Sequence, residues 1–322
     1  MLTNDFPYNP WNRARNAGGS SNGSSVAVAA RMVPGAMGSQ TGGSVLKPAA
    51  YNGVIGLKPT YGRISRYGVI PRVWTLDTMG VIARSVEDTA LVLQAIAGHD
   101  TNDPGSSTAP VGDYVAALGH AKRPPKIGVI REWFYDESKE HVRKHTDAVV
   151  EQFRKAGATV SEVKLPKSFH IDLAAHSIVN AVETASFHGH RWSRDPAAYP
   201  PSMRRTIETG RLVPGSIYLD AQRARRQFRM DMAPIAAQYD IMLTPTLIEA
   251  APPERNGIGA GPLQGPWTSC GLPAITLPSG LDHDQMPLGI QLVSAPFQEE
   301  RLLAAAAWCE AQLGWKARPP IN

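Results

Sequence analysis

Gly18-Gly-Ser-Ser-Asn-Gly-Ser-Ser25 and Gly38-Ser-Gln-Thr-Gly-Gly-Ser-Val-Leu-Lys-Pro-Ala-Ala50 are the two stretches that decide the fold of this 322-residue chain. Glycine-rich turns let successive backbone N–H groups converge on an anion. A serine beside such donors suits acyl transfer, because its hydroxyl can attack a carbonyl while the donors stabilise the charge that develops on the carbonyl oxygen. The alternatives are a flexible linker and a phosphate-binding loop. A linker would not alternate with an apolar helix and a strand within thirty residues, and no Gly-Lys-Ser/Thr step is present to make a nucleotide loop.

The segments around these stretches predict an α/β fold. Residues 126–163 have the pattern strand, helix, strand, which is typical of a parallel sheet. Ser85 is a suitable N-cap for the helix that follows it, because Glu87 and Asp88 fall in the first turn. The remaining predicted elements are helices over 26–33 and 299–313, a mostly helical segment over 174–238, and strands at 54–59, 240–245, 274–278 and 288–293.

We therefore expect a single domain over residues 1–322, with a central mixed and mostly parallel sheet and helices on both faces. Its parts are a core at about 16–100, a variable helical segment at about 110–235, and a C-terminal sheet and helix at about 236–322.

Composition excludes several classes of protein. Hydrophobic residues make up 43% of the chain and charged residues 19%, and no apolar run is long enough to span a membrane. The net charge of +5 comes from scattered basic residues rather than a stripe with interleaved aromatic residues, so we expect no nucleic-acid partner. No signal peptide is visible. The two cysteines, Cys270 and Cys309, form neither a disulfide framework nor a zinc-ligand spacing, which favours a cytoplasmic protein without a metal or cofactor.

Together with Gly53-Val-Ile-Gly-Leu-Lys-Pro-Thr-Tyr-Gly-Arg-Ile-Ser65, the two glycine-serine stretches resemble the signature of the amidase signature family. The likeness returns at Pro266-Trp-Thr-Ser-Cys-Gly-Leu-Pro-Ala-Ile-Thr-Leu-Pro278 and covers roughly two thirds of the chain. Members hydrolyse carboxamides with a serine nucleophile, a second serine that follows a cis peptide bond, and a lysine base. The resemblance implies that Ser44 is the nucleophile and that Ser20 is the cis serine that relays protons. It places the oxyanion hole at the backbone N–H groups of Thr41, Gly42, Gly43 and Ser44.

The base of this family lies on a strand N-terminal to the Gly-Gly-Ser-Ser cluster, but this sequence has no lysine before Lys47. Lys47 and Lys58 do not match the position of the family's base. We therefore expect a family member that is truncated at its N-terminus, with three possible origins: a truncated gene, a misassigned start, or a pair of separate polypeptides. In the last case, a separate chain would supply the lysine segment.

Three residues are candidates for substrate binding. Gln40 stands where many members have Asp, and Leu46 stands where they have Arg, so a charged pair is replaced by two neutral residues. Lys47, three residues after the nucleophile, resembles the basic residue of malonamidase-like members, which can hold a substrate carboxylate; the alternative is a solvated lysine. Trp267 would line a pocket or pack in the core. Cys270 is expected to be a small buried hydrophobic residue.

The resemblance implies an amidohydrolase that cleaves a small carboxamide through an acyl-enzyme on Ser44. Two alternatives stay open. One is the amidase subunit of a glutamyl-tRNA amidotransferase, and the other is a non-catalytic remnant or half of a heteromer, which the absent lysine favours. The resemblance also suggests a homodimer. Because the family builds part of its sheet from the N-terminal segment, we expect an uncovered sheet edge in this chain.

Overall fold

A computed structural model describes residues 6–257, 259 and 263–321. Its strands form one eight-stranded sheet in the order β1-β3-β2-β7-β8-β6-β4-β5. The strands are β1 (Gly35–Gln40), β2 (Ile55–Lys58), β3 (Thr78–Ala83), β4 (Lys126–Val129), β5 (Thr159–Glu162), β6 (Ile241–Pro245), β7 (Ala274–Leu281) and β8 (Pro287–Val293). Strands from all three predicted segments of the chain therefore join the same sheet.

The mixed sheet confirms the predicted α/β class, but the expectation that most strands are parallel is wrong. Only the pairs β4–β5 and β4–β6 are parallel among the described strands, and the other five pairs are antiparallel. The strand-helix-strand unit at 126–163 joins the adjacent parallel strands β4 and β5. Elsewhere β7 turns directly into β8, and no helix lies between β2 and β3, so these neighbouring strands run antiparallel.

Ten α-helices surround the sheet in the described part of the chain. They are α1 (Asn22–Ala29), α2 (Leu46–Tyr51), α3 (Val86–Ile96), α4 (Tyr114–Ala117), α5 (Glu140–Lys155), α6 (Ser168–Arg194), α7 (Pro201–Leu212), α8 (Gly215–Ala236), α9 (Gly265–Ser269) and α10 (Glu299–Leu313). Two short 3₁₀ segments lie at Leu118–His120 and Pro196–Ala198. The last helix has the predicted bounds, and Ser85 caps α3 as predicted, because its Oγ accepts a hydrogen bond from the Asp88 N–H at 3.0 Å.

Apolar clusters on the two sides of the sheet confirm that helices cover both faces. On one side, α3, α5 and α10 pack against alternate residues of the central strands, including Leu243, Ile275 and Leu292. On the other side, α8 and α9 pack against the residues that point the opposite way, including Met242 and Ala274.

Serine side chains cover the outer edge of β1. Ser24 Oγ donates to the Met37 carbonyl at 2.8 Å, and Ser21 Oγ accepts from the Ser39 N–H at 3.2 Å. These bonds occupy backbone groups that an edge strand otherwise leaves open to another strand. Met37 and Ser39 are therefore covered, and the expectation of an uncovered sheet edge stays a prediction.

No helix in the described ranges combines the length and the apolar character that a membrane-spanning helix needs.

Candidate active site

The fold brings the two glycine-serine stretches into contact. Ser20 lies two residues before the start of α1, and Ser44 lies in the turn between β1 and α2. The N–H of Ser21 donates to the carbonyl oxygen of Ser44 at 3.1 Å. The peptide bond between Gly19 and Ser20 is cis, which matches the geometry that the resemblance implies for Ser20. The serines assigned as nucleophile and relay therefore lie on directly bonded backbone segments.

Residues 41–45 connect β1 to α2 and are called the nucleophile loop after the predicted nucleophile, Ser44. Asp77 fixes the beginning of this loop. Thr41 Oγ1 donates to Asp77 Oδ1 at 2.5 Å. The other carboxylate oxygen of Asp77 accepts the backbone N–H groups of Arg72 and Val73. One buried carboxylate thus joins Thr41 to the loop that precedes β3, and sequence reasoning gave it no role.

Thr268, on α9, supports the same loop from the other side. Its Oγ1 donates to the Gly42 carbonyl at 2.8 Å and accepts from Gln40 Nε2 at 3.0 Å. Gln40 Oε1 in turn accepts the N–H groups of Val45 and Leu46, at 3.0 and 3.1 Å. Every polar atom of the Gln40 amide is therefore engaged with the protein. Gln40 is fully buried, so the expectation that it binds substrate is wrong: it positions the loop around Ser44.

Glycine at position 43 is required by close packing. A Cβ atom at this position would overlap Oε1 of Gln264, a buried side chain that also donates to the Thr246 carbonyl. At Gly42, the nearest atom to such a Cβ would be Nε2 of His176, at 3.8 Å. The loop therefore lies directly against Gln264, while a histidine side chain faces it at Gly42.

Lys47 is buried rather than solvated. Only 6% of the residue is exposed, and its Nζ donates to the Gly259 carbonyl at 2.9 Å. Burial lowers the pKa of its ammonium group to about 8. The solvated alternative is wrong, and the role of Lys47 in holding a substrate carboxylate stays a prediction.

Trp267 belongs to the core and does not line the cavity beside the loop. It is fully buried and stacks on Phe134, with ring centroids 5.4 Å apart and an interplanar angle of 3°. The expectation that Trp267 lines the pocket is therefore wrong and the alternative of core packing is confirmed, because Trp267 is absent from the cavity lining whereas the adjacent Pro266 is part of it. Cys270, in the same apolar cluster, is buried as predicted, and burial raises the pKa of its thiol to about 12.

A cavity of about 360 Å³ opens beside the nucleophile loop. Gly42 and Gly43 form one wall, and α6 forms the facing wall. The lining residues are Gly42, Gly43, Trp133, Glu137, Asp172, Leu173, His176, Ser177, Gly265 and Pro266. This volume suits a small organic molecule.

Two lining residues, Asp172 and His176, carry polar atoms that lack hydrogen-bond partners. Asp172 Oδ1 accepts from Ser269 Oγ at 2.7 Å, whereas Oδ2 is buried without a partner. Burial raises the pKa of this carboxyl to about 7. His176 has no partner for Nδ1, and burial lowers its pKa to about 4. Sequence reasoning missed both residues, because they lie in the segment where the resemblance is weak and their i, i+4 spacing on a helix was the only available signal.

Behind the loop, Glu183 joins α6 to α8. Its carboxylate accepts from the N–H and Oγ1 of Thr75, from Tyr218 OH and from Gln222 Nε2. Arg225 donates to the carbonyls of Thr75 and Ser269. This network fixes the end of the loop that precedes Asp77, so Glu183 supports the site without reaching it.

Comparison with known proteins agrees with this arrangement. The family model described as Amidase matches residues 5–303. The chain belongs to the amidase family. It is 34% identical over 345 aligned residues to a glutamyl-tRNA(Gln) amidotransferase subunit from Halothermothrix orenii, and the alignment covers 97% of this chain and 72% of that protein.

Solved amidase-family structures share the fold. One, described as an unexpected vestigial protein complex that reveals the evolutionary origins of an s-triazine catabolic enzyme, superposes with a TM-score of 0.87 at 33% identity, covering 97% of this chain and 70% of the other. A peptide amidase in complex with the competitive inhibitor chymostatin gives a TM-score of 0.83 at 29% identity, with 97% and 69% covered. The chain is therefore an amidase-family enzyme with the α/β fold of that family.

Within the described ranges, no group of three or more His, Cys, Asp or Glu side chains is arranged to hold a metal ion.

Proposed function

We propose that this enzyme hydrolyses a small carboxamide through an acyl-enzyme on Ser44. The observation that carries the proposal is the contact between the two serine segments, in which the Ser21 N–H donates to the Ser44 carbonyl at 3.1 Å. The cavity beside Gly42 and Gly43 gives the scissile amide a place against the loop that leads to Ser44. The backbone N–H groups from Thr41 to Ser44 would serve as the oxyanion hole.

In the proposed reaction, Ser44 Oγ attacks the amide carbonyl and its proton passes to Ser20 Oγ. The oxyanion faces the loop that Asp77 and Thr268 hold in place. When the C–N bond breaks, a proton from the serine relay goes to the leaving nitrogen, which departs as ammonia or an amine. Water then cleaves the ester on Ser44 and releases the carboxylic acid.

The relay also needs a base. We infer that a lysine from a further polypeptide segment or a partner chain takes this role, because the first lysine of the sequence, Lys47, has its Nζ bonded to the Gly259 carbonyl. A neutral lysine accepts a proton only where burial depresses its pKa, so the supplied side chain would be buried against the serines.

Ammonia release from a panel of small primary amides tests the reaction. Ser44→Ala should abolish release, and Ser20→Ala should reduce it by about 10²-fold or more, the usual worth of a positioned proton-transfer group. Ser24→Ala is the matched control: this serine lies in the same stretch but bonds the Met37 carbonyl, so its loss should leave the rate unchanged. Release that persists in Ser44→Ala would refute the assignment of the nucleophile.

A second candidate function is the amidase component of an amidotransferase, in which ammonia passes to a partner. The 34% identity to such a protein over nearly the whole chain favours it. In that case, ammonia release rises when the partner subunits are present. Equal release with and without the partners would contradict this second candidate. A folded chain that releases no ammonia under any of these conditions would instead be a non-catalytic family member.

A further inference from the structure

Asp172 and His176 lie one turn apart on α6 and face the nucleophile loop across the cavity. His176 is beside Gly42, since its Nε2 is 3.8 Å from where a Cβ on Gly42 would be. Four residues of helix advance by about 6 Å. Asp172 therefore lies about 6 Å from His176 along the helix axis, roughly the length of a three-carbon amide.

The carboxyl group of Asp172 is held by one oxygen only. Ser269 Oγ donates to Oδ1 at 2.7 Å, and Arg225 Nε lies 3.4 Å from the same serine oxygen. Oδ2 is buried without a partner, and only 1% of the residue is exposed. Leaving a buried acceptor unpaired costs about 1–3 kcal/mol. A ligand that donates a hydrogen bond to Asp172 Oδ2 would therefore remove this cost and bind more tightly.

His176 adds a second acceptor. Its Nδ1 is buried and has no partner, and the depressed pKa of the ring keeps it neutral near pH 7. A neutral imidazole has one donor nitrogen and one acceptor nitrogen, so it does not repel a cationic or N–H-rich group.

The charges around the cavity disfavour an anionic ligand. Among the described lining residues there is no lysine or arginine, whereas Glu137 and Asp172 are both acids. Arg225 is engaged with Thr75, Gln222 and Ser269, and Arg229 donates to the Cys270 carbonyl. Trp133, Leu173 and Pro266 provide apolar walls.

We propose that Asp172, together with His176, determines specificity for an amide substrate whose far end carries N–H donors, such as an ammonium, amide or ureido group. The inference rests on the proposed function for the position of the scissile carbonyl at Gly42 and Gly43. It departs from the small acidic amide that Lys47 suggests, because Lys47 does not line this cavity.

Equilibrium binding of three amides of equal chain length tests the proposal. The ligands are 3-aminopropanamide, butanamide and succinamate, titrated into the full chain and followed by ligand-observed NMR. A hydrogen bond to a charged group contributes about 1.5–3 kcal/mol, which corresponds to about 10- to 150-fold in affinity. We expect 3-aminopropanamide to bind at least tenfold more tightly than butanamide, and succinamate to bind most weakly. Equal affinities, or a preference for succinamate, would overturn the proposal.

Asp172→Asn should remove the preference for the amine and leave butanamide binding within about twofold, because it keeps the shape of the side chain. Asp220→Asn, which removes one negative charge from an exposed position on α8, is the matched control and should leave all three affinities unchanged. An Asp172→Asn protein that still prefers the amine would refute the role of this carboxyl.

The pH dependence of wild-type binding gives a readout that needs no variant. The pKa of Asp172 is raised to about 7, so its carboxyl is protonated at pH 5 and ionised at pH 8. The cations near Asp172 are Arg225 and Arg229, and the raised pKa of the Cys270 thiol keeps it neutral over this range. The aliphatic amine of the ligand stays protonated throughout. The amine preference should therefore grow from pH 5 to pH 8, and a preference that is constant or falls would count against Asp172.

Fluorophosphonate labelling of Ser44 in the same samples separates this inference from the proposed function. Labelling of Ser44 without an amine preference would refute the role of Asp172 and His176 in specificity and would leave the proposed function standing. An amine preference that depends on Asp172, with a phosphonyl adduct that does not map to Ser44, would refute the acyl-enzyme mechanism on Ser44 while the binding site stands.

Discussion

Replacing Thr268 by valine should loosen the loop that carries Ser44. The hydroxyl of Thr268 donates to the Gly42 carbonyl at 2.8 Å and accepts from Gln40 Nε2 at 3.0 Å, and the residue is almost fully buried. Valine has nearly the same shape but no hydroxyl, so Gln40 Nε2 and the Gly42 carbonyl would lose their partners. Each buried group left unpaired costs about 1–3 kcal/mol, so the loss of two partners should lower the free energy of unfolding by about 2–6 kcal/mol.

Thr268→Val should also lower the reactivity of Ser44, because the Gly42 carbonyl belongs to the loop whose N–H groups would form the oxyanion hole. Losing one oxyanion donor typically costs about 3 kcal/mol of transition-state stabilisation. A displaced loop should therefore slow fluorophosphonate labelling of Ser44 by at least about tenfold. Urea unfolding and a labelling time course measured by intact mass give the two quantities.

Thr146→Val is the matched control for this prediction. Thr146 is also fully buried, but its hydroxyl donates only to the Val142 carbonyl within α5. Its loss should cost about 1 kcal/mol or less and leave the labelling rate unchanged. If Thr268→Val unfolded within about 0.5 kcal/mol of the wild type and labelled at the same rate, Thr268 would not be what holds the loop.

Further predictions concern the glycines, the buried acid and the cysteines. Gly43→Ala should slow Ser44 labelling and lower the melting temperature more than Gly42→Ala, because a Cβ at Gly43 overlaps Gln264 whereas one at Gly42 has its nearest neighbour at 3.8 Å; equal effects would contradict the packing argument. Because the folded-state pKa of Asp172 is raised to about 7, the folded protein binds more protons than the unfolded chain between about pH 4 and pH 7, and stability should fall as pH rises through that window. Asp172→Asn should flatten this fall, as thermal melts from pH 5 to pH 8 would show, and an unchanged pH profile would contradict the assigned cause. Cys270 and Cys309 are buried with raised pKa values, so a thiol reagent should modify neither until denaturant is added, and rapid modification of the native protein would disprove their burial.

The sequence correctly predicted the helices and strands whose formation depends on residues close together in the chain. Ser85 caps its helix, the helix at 299–313 has the predicted bounds, and the strand-helix-strand unit at 126–163 is present. These features depend on residues within one or two turns of each other, so a single sequence contains the information.

The direction of the strands could not be inferred in the same way. Strand β1 (Gly35–Gln40) has the sequence Gly-Ala-Met-Gly-Ser-Gln, which lacks the alternation of apolar and polar residues that marks a half-buried strand, and its partner β3 lies some forty residues later. Pairing between distant segments is set by tertiary packing, so the antiparallel part of the sheet was missed.

In the candidate site, too, the sequence located some residues and missed or misassigned others. The glycine-serine motifs located Ser20 and Ser44, and the structure brings their backbones into contact. Gln40 and Trp267 were misassigned, because the sequence does not show that their side chains point into the interior. Asp172 and His176 were missed because α6 meets the nucleophile loop only in the folded protein.

The measurement that tests the central claim most directly is the intact mass of the chain after treatment with a fluorophosphonate, for the wild type and for Ser44→Ala. If Ser44 is the nucleophile, the wild type should gain the mass of one phosphonyl group, the adduct should map to Ser44, and the variant should gain nothing. An adduct at another residue, or an adduct of equal yield on Ser44→Ala, would contradict the account.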